Sequence, residues 1–137
     1  MDQSSVILLL VLCASLSIDA QPAKYFTFVK QHVSNGMRKH MCTTEIANKN
    51  IRSFNGCKPV NTFINALDDQ VRAVCTGGGQ NIGGNLFRSS LKFDVVKCNQ
   101  IPGTMYPGCQ YTGFEKSLVH IVLACENRWP VHFERFG

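Results

Sequence analysis

Six cysteines in the last 117 residues constrain this chain more than any other feature: Cys42, Cys57, Cys75, Cys98, Cys109 and Cys125. A seventh, Cys13, lies in a segment that reads as removable. Residues 5–17 are mostly apolar around the run from Val6 to Leu12. That stretch is too short to span a bilayer and reads as a secretory signal, although Met1 to Ser5 carries no Lys or Arg. Ile18-Asp19-Ala20 ends on a small residue, which places cleavage after Ala20 and a new N-terminus at Gln21. The remaining six cysteines make an even set that suits three bridges in an oxidising compartment. Spacing alone leaves fifteen connectivities open. A zinc site competes poorly, because no two cysteines stand in C-x-x-C spacing and the four histidines are not at metal-ligand spacing.

The two expected regions are thus a signal at 1–20 and a single domain at 21–137. No second long apolar run follows, so no membrane span is expected. Asp2 and Asp19 leave with the signal and no Lys or Arg does, which raises the formal net charge from +5 to +7. A small secreted domain this basic attracts polyanions: nucleic acid, cell-surface sulfated sugars or anionic membranes.

Helical patterns come first. Residues 23–33 put Tyr25, Phe28, Val29 and His32 at helical spacing, and Ser34-Asn35-Gly36 stops them. Phe28 and His32 share a face, so the histidine rides beside a core anchor. A second helix is expected over 43–49. A third starts near Asn65, carries Asp68 and Asp69 in its first turn, and buries Leu67, Val71 and Val74. The glycine-rich stretch 76–84 has no Gly-Lys-Ser/Thr ending and no strand–helix–strand context, so it reads as a flexible surface connection rather than a phosphate loop. Strands are expected over 60–64, 92–98, 110–112, 118–124 and 131–136, with turns at Pro102-Gly103 and Pro107-Gly108. Helices early and an antiparallel sheet late make an α+β fold.

Three distant segments carry chemistry: Gln31-His32, Cys57-Lys58-Pro59-Val60-Asn61-Thr62-Phe63 and Pro130-Val131-His132-Phe133. RNA contains its own nucleophile, the 2′-hydroxyl. Its cleavage needs a base for the 2′ proton, an acid for the leaving 5′-oxygen and positive charge beside the phosphate. Two imidazoles suit the proton transfers because they titrate near working pH. A lysine suits the developing anionic charge. Such chemistry requires neither metal nor cofactor. Taken singly, each residue has a plainer reading as a surface or satisfied side chain; the conjunction gives the functional one. His40 and His120 keep the plain reading.

These segments, with six cysteines in compatible order, resemble the pancreatic ribonuclease superfamily over essentially the whole chain after residue 20. The heptad from Cys57 to Phe63 matches the family signature. The resemblance implies three helices packed on a bent antiparallel sheet and the pairings Cys42–Cys98, Cys57–Cys109 and Cys75–Cys125. Each bridge would close a loop of roughly 50 residues, contributing on the order of 3–4 kcal/mol in the chain-entropy model. It implies His32 as base, His132 as acid and Lys58 as the cation at the phosphorane. Gln31 and the Phe133 N–H would contact phosphate, and Thr62 would read a pyrimidine through its N–H and hydroxyl. Phe133 would pack along that base, with Asn61 and Glu134 completing the substrate-binding set. Glu134 stands where most relatives have Asp.

Six cysteines rather than eight place the chain nearest the three-disulfide, angiogenin-like or fish-type members. Arg135 follows Glu134, so the glutamine obstruction of the pyrimidine site found in some angiogenins is not expected. The implied function is a secreted endoribonuclease, extracellular and monomeric. It would cleave single-stranded RNA on the 3′ side of pyrimidines through a 2′,3′-cyclic phosphate, with angiogenin-like activity. The alternative is a receptor-binding angiogenic factor or a cationic antibacterial protein with weak or dispensable ribonuclease activity. Implied partners beyond RNA are cell-surface polyanions, a receptor or ribonuclease inhibitor, and anionic bacterial membranes.

Overall fold

The computed structural model describes residues 21–137, so the expected signal segment lies outside the described residues. Helix α1 spans Ala23–His32 and α2 spans Cys42–Asn48, entered through a 3-10 turn at Lys39–Met41. Strand β1 (Val60–Asn65) leads to a short α3 (Asp68–Arg72), which runs on into a 3-10 turn at Ala73–Cys75. Six strands follow: β2 (Gly79–Gly83), β3 (Leu86–Ser89), β4 (Phe93–Gln100), β5 (Tyr111–Val119), β6 (Ile121–Glu126) and β7 (Trp129–Phe136). They form two antiparallel sheets, one ordered β1-β4-β5 and the other β2-β3-β6-β7. The α+β architecture holds, as do the three bridges Cys42–Cys98, Cys57–Cys109 and Cys75–Cys125.

Side-chain alternation along β1 and β4 makes two cores. Ile64 and Val95 join Phe28, Val71, Val74, Ile121 and Leu123 on one side. Phe63 and Val96 turn to the other side, where Met37, Ile46, Ile51 and the Cys42–Cys98 bridge pack. Successive strand residues face opposite ways, so one strand pair serves both clusters and cannot slip register without emptying them. This pair carries Asn61 and Thr62, and its rigidity is what positions them.

Several local expectations are corrected. Leu67 is not buried: it caps α3 in an extended conformation, is 51% exposed, and the helix begins at Asp68. The Leu67 N–H is instead satisfied by Gln70 Oε1 at 2.8 Å, which closes the helix start. The glycine-rich stretch is not a loose connection, because Gly79–Gly83 pairs with β3. Glycine is needed there for close approach: a Cβ on Gly79 would run into the Val74 carbonyl, and one on Gly78 into the Ala73 carbonyl. The expected strand over 118–124 is two strands. Leu118 takes φ +54° and donates its N–H to Asp94 Oδ1 at 3.0 Å, and the chain leaves one sheet for the other at His120. His120 is structural, with Nδ1 2.8 Å from the Ser89 carbonyl. The β6–β7 hairpin turns on Asn127 and Arg128, both at positive φ as a two-residue turn of this hand requires. That turn aims β7, and with it His132, back along the sheet.

Candidate active site

His32 ends α1 with its ring held from two sides. Phe28, one turn earlier and 2% exposed, packs 5.5 Å away between ring centroids. The Phe133 ring lies 5.4 Å away on β7, nearly parallel at 26°. His32 Nδ1 is 2.8 Å from the Thr62 carbonyl. A carbonyl only accepts, so Nδ1 carries the hydrogen and the lone pair of the neutral ring sits on Nε2. Burial above all, aided by the positive charges of Lys58 and His132 and opposed by the hydrogen bond to Thr62 that favours protonation, brings the imidazole pKa down to about 4. At neutral pH His32 is thus an uncharged ring with a free acceptor nitrogen.

Lys58 follows Cys57, whose bridge to Cys109 pins the backbone. Tyr111 Oη donates to the Lys58 carbonyl at 2.7 Å and pins it again. The Lys58 ammonium donates to Asn61 Oδ1 at 2.8 Å, and Asn61 Nδ2 donates to the Gln31 carbonyl at 2.8 Å. This relay joins the heptad on β1 to the helix that carries His32. Burial lowers the lysine pKa below its usual value. His132, on β7, is more exposed, and its Nε2 lies 3.4 Å from Glu134 Oε2. Residues i and i+2 of a strand share a face, which is how the carboxylate reaches the ring. Nδ1 of His132 is then the nitrogen left for other work.

All three catalytic candidates and all five substrate-binding candidates line one open cleft of about 590 Å³. Among the described residues, no three His, Cys, Asp or Glu side chains cluster so as to hold a metal. The cleft also takes in Lys97 and Arg135, to which the sequence assigns no role. Lys97 left no motif signal; only the register of β1 against β4, which sets it opposite Thr62, exposes it.

A model of the family described as pancreatic ribonuclease matches residues 23–134. The chain belongs to the pancreatic ribonuclease family. Ribonuclease-like 3 of Danio rerio is 42% identical over 142 aligned residues, covering 97% of this chain and 95% of the relative. Angiogenin-3 of Mus musculus is 34% identical over 135, covering 91% of each. The X-ray structure of zebrafish RNase5 superposes with a TM-score of 0.76 at 38% identity, covering 82% of this chain and 93% of that one. The protein is therefore a pancreatic-type ribonuclease whose relatives include both fish ribonucleases and angiogenins. Among the described residues of this ribonuclease, no helix is long and apolar enough to cross a membrane.

Proposed function

We propose that this ribonuclease cleaves single-stranded RNA on the 3′ side of pyrimidines, with His32 as base, His132 as acid and Lys58 as the stabilising cation. The observation that carries the reading is the convergence of these three side chains, from α1, the Cys57–Phe63 segment and β7, on one cleft. Neutral His32 accepts the 2′-hydroxyl proton at Nε2 as the 2′-oxygen attacks phosphorus. Protonated His132 gives a proton from Nδ1 to the departing 5′-oxygen, leaving a 2′,3′-cyclic phosphate. Each positioned acid or base is typically worth about 10²–10⁴ in rate. Lys58 leaves Asn61 Oδ1 for the equatorial oxygens as negative charge builds there. Glu134 keeps His132 in the tautomer and orientation this step needs.

Thr62 addresses the base. Its carbonyl is turned out of the sheet toward His32, so its N–H, on the same side of an edge strand, points outward too. That donor and the adjacent hydroxyl match the O2 and N3 edge of a pyrimidine, while a purine presents a larger ring to the same space. Phe133 packs along the base, and Gln31 lies beside the phosphate.

Secretion is part of this proposal, supported by three bridges of the kind that persist outside the reducing cytosol. The test is cleavage of dinucleotides by the protein starting at Gln21, with pyrimidine or purine on the 5′ side. Equal rates for both would refute the base-reading assignment.

A second reading, a cationic surface-binding or antibacterial role, is favoured by Phe54 (102% exposed) and Met105 (79% exposed) on a basic molecule. The partners would be cell-surface polyanions, an acidic receptor or inhibitor, or anionic membranes. His32→Ala separates the two: cleavage collapses, while charge-driven binding persists.

A further inference from the structure

Two Asn-Gly pairs lie in this chain, Asn35-Gly36 and Asn55-Gly56. Such a pair can react with itself. The backbone nitrogen of glycine, which no side chain shields, can attack the side-chain carbonyl carbon of the asparagine before it. Both asparagines are exposed, so access to water does not separate them. What separates them is the hold on the glycine nitrogen, because attack requires that N–H to leave its hydrogen bond and the chain to swing. Gly36 N–H donates to Asn65 Oδ1 at 2.6 Å, a partner on β1 and 29 residues away. The same loop is anchored on either side: Ser34 N–H donates to the Ile64 carbonyl at 3.0 Å, Ser34 Oγ donates to Glu45 Oε2 at 2.7 Å, and Met37 is buried in the second core. Gly56 N–H reaches the Ser53 carbonyl at 3.3 Å, a long contact for N–H···O. That acceptor belongs to the same four-residue turn, closed by Ser53 N–H on the Gly56 carbonyl at 2.9 Å. Phe54, just before Asn55, is fully exposed, so no core contact holds the tip. Local opening of such a turn costs little.

We propose that Asn55 is a site of spontaneous conversion to isoaspartate and aspartate in the folded protein, and that the bond from Gly36 to Asn65 protects Asn35 from the same reaction. The Gly56 nitrogen, deprotonated by hydroxide, forms a bond to Asn55 Cγ. The bond from Cγ to the side-chain nitrogen breaks, that nitrogen leaves as ammonia with a proton from water, and a five-membered succinimide remains. Water then opens the ring. Attack at the Asn55 main-chain carbonyl leaves isoaspartate, whose backbone runs through the former side chain; attack at the other carbonyl leaves aspartate. Neither step needs an oxidant, a metal or an enzyme. The exchange of an amide for a carboxylate removes one unit of positive charge from the basic chain, three residues from Arg52 and three from Lys58. The isoaspartate route also adds a methylene to the main chain just before Gly56-Cys57, in the segment that feeds Lys58 into the cleft. The protein therefore ages at one chosen turn, into a less basic form.

The test is incubation of the folded protein, disulfides intact, at mildly alkaline pH, with peptide mapping by mass spectrometry to follow both asparagines in the same molecules. Asn55 should convert about tenfold faster than Asn35, the factor that one well-made hydrogen bond supplies. In the reduced, urea-unfolded chain the two rates should draw together, since glycine follows both. Asn65→Ala removes the acceptor from Gly36 and should raise the Asn35 rate toward that of Asn55, whereas Asn65→Asp keeps an oxygen acceptor there and should leave Asn35 protected. Equal rates in the folded wild type, or faster conversion of Asn35, overturn the proposal. So does a folded protein in which neither asparagine converts while the unfolded chain converts at both, since the Ser53 carbonyl would then protect as well as Asn65 does. A ratio that persists unchanged on unfolding also overturns it, by tracing the difference to neighbouring sequence instead of to the fold. The comparison of two sites within the wild type stands even where Asn65→Ala fails to fold.

Discussion

Acidification from pH 7.5 to pH 4 should remove stability from this ribonuclease through His32. The folded protein holds the ring at a pKa of about 4, chiefly because it is buried, whereas the unfolded chain leaves it near 6.5. Between these values the unfolded state binds a proton that the folded state refuses, so stability falls as pH falls. The contribution is fully present above pH 6.5, declines between 6.5 and 4, and levels off below. At about 1.4 kcal/mol for each unit of pKa the loss is on the order of 3 kcal/mol. That is a large part of a typical domain stability of about 5–15 kcal/mol. The assay is urea unfolding with the disulfides intact, in buffers free of phosphate, since a bound anion would hold the imidazolium. His32→Asn serves as reference: its side-chain amide can donate to the Thr62 carbonyl, and it does not titrate. Subtracting the reference cancels the carboxylates and the other histidines. The difference between the two proteins should shrink by on the order of 3 kcal/mol from pH 6.5 to pH 4. Parallel curves would refute the claim that burial sets the state of this ring.

Three further outcomes are expected. Lys58→Met should lower kcat by about 10²–10³ with an unchanged circular dichroism spectrum, because it removes a preorganised cation from the cleft; a loss under tenfold would remove Lys58 from the chemistry. Gly113→Ala should lower the melting temperature, since its Cβ would collide with the Lys39 carbonyl, at a cost of about 1–3 kcal/mol; a variant as stable as the wild type would show that the contact yields freely. Arg72 places its guanidinium 3.3 Å from the Trp129 ring centre, yet its Nε is buried without a partner. A cation–π gain of about 2 kcal/mol then offsets a comparable desolvation cost, so Arg72→Met should change stability by no more than about 1 kcal/mol in urea unfolding.

What the sequence made legible was what local pattern or family motif encodes. Helical spacing of Phe28 and His32 placed the histidine against a core anchor, and the structure keeps both. The heptad from Cys57 to Phe63 marked the segment that feeds Lys58, Asn61 and Thr62 into the cleft. What escaped depends on contacts between distant segments. The apolar run from Leu118 to Ala124 gives no hint that Leu118 adopts a left-handed backbone and divides it into two strands. Three glycines in a row after Thr76 read as looseness, whereas two of them are dictated by the carbonyls of the preceding turn. Lys97 is an unremarked cation between Val96 and Cys98 until strand register sets it against Thr62. The bond from Tyr111 Oη to the Lys58 carbonyl joins residues 53 apart in sequence, a distance over which no periodicity reaches.

The most direct measurement is the rate at which uridylyl-adenosine yields the 2′,3′-cyclic phosphate with the wild type, with His32→Ala and His132→Ala singly, and with the double variant. Each single substitution should cost about 10²–10⁴ in kcat/KM. The two residues act in one step, so the double variant should lose little more than the worse single one. Substantial cyclic phosphate formation by the double variant would contradict the account, because the cleft where α1 and β7 meet would then not be where the bond breaks.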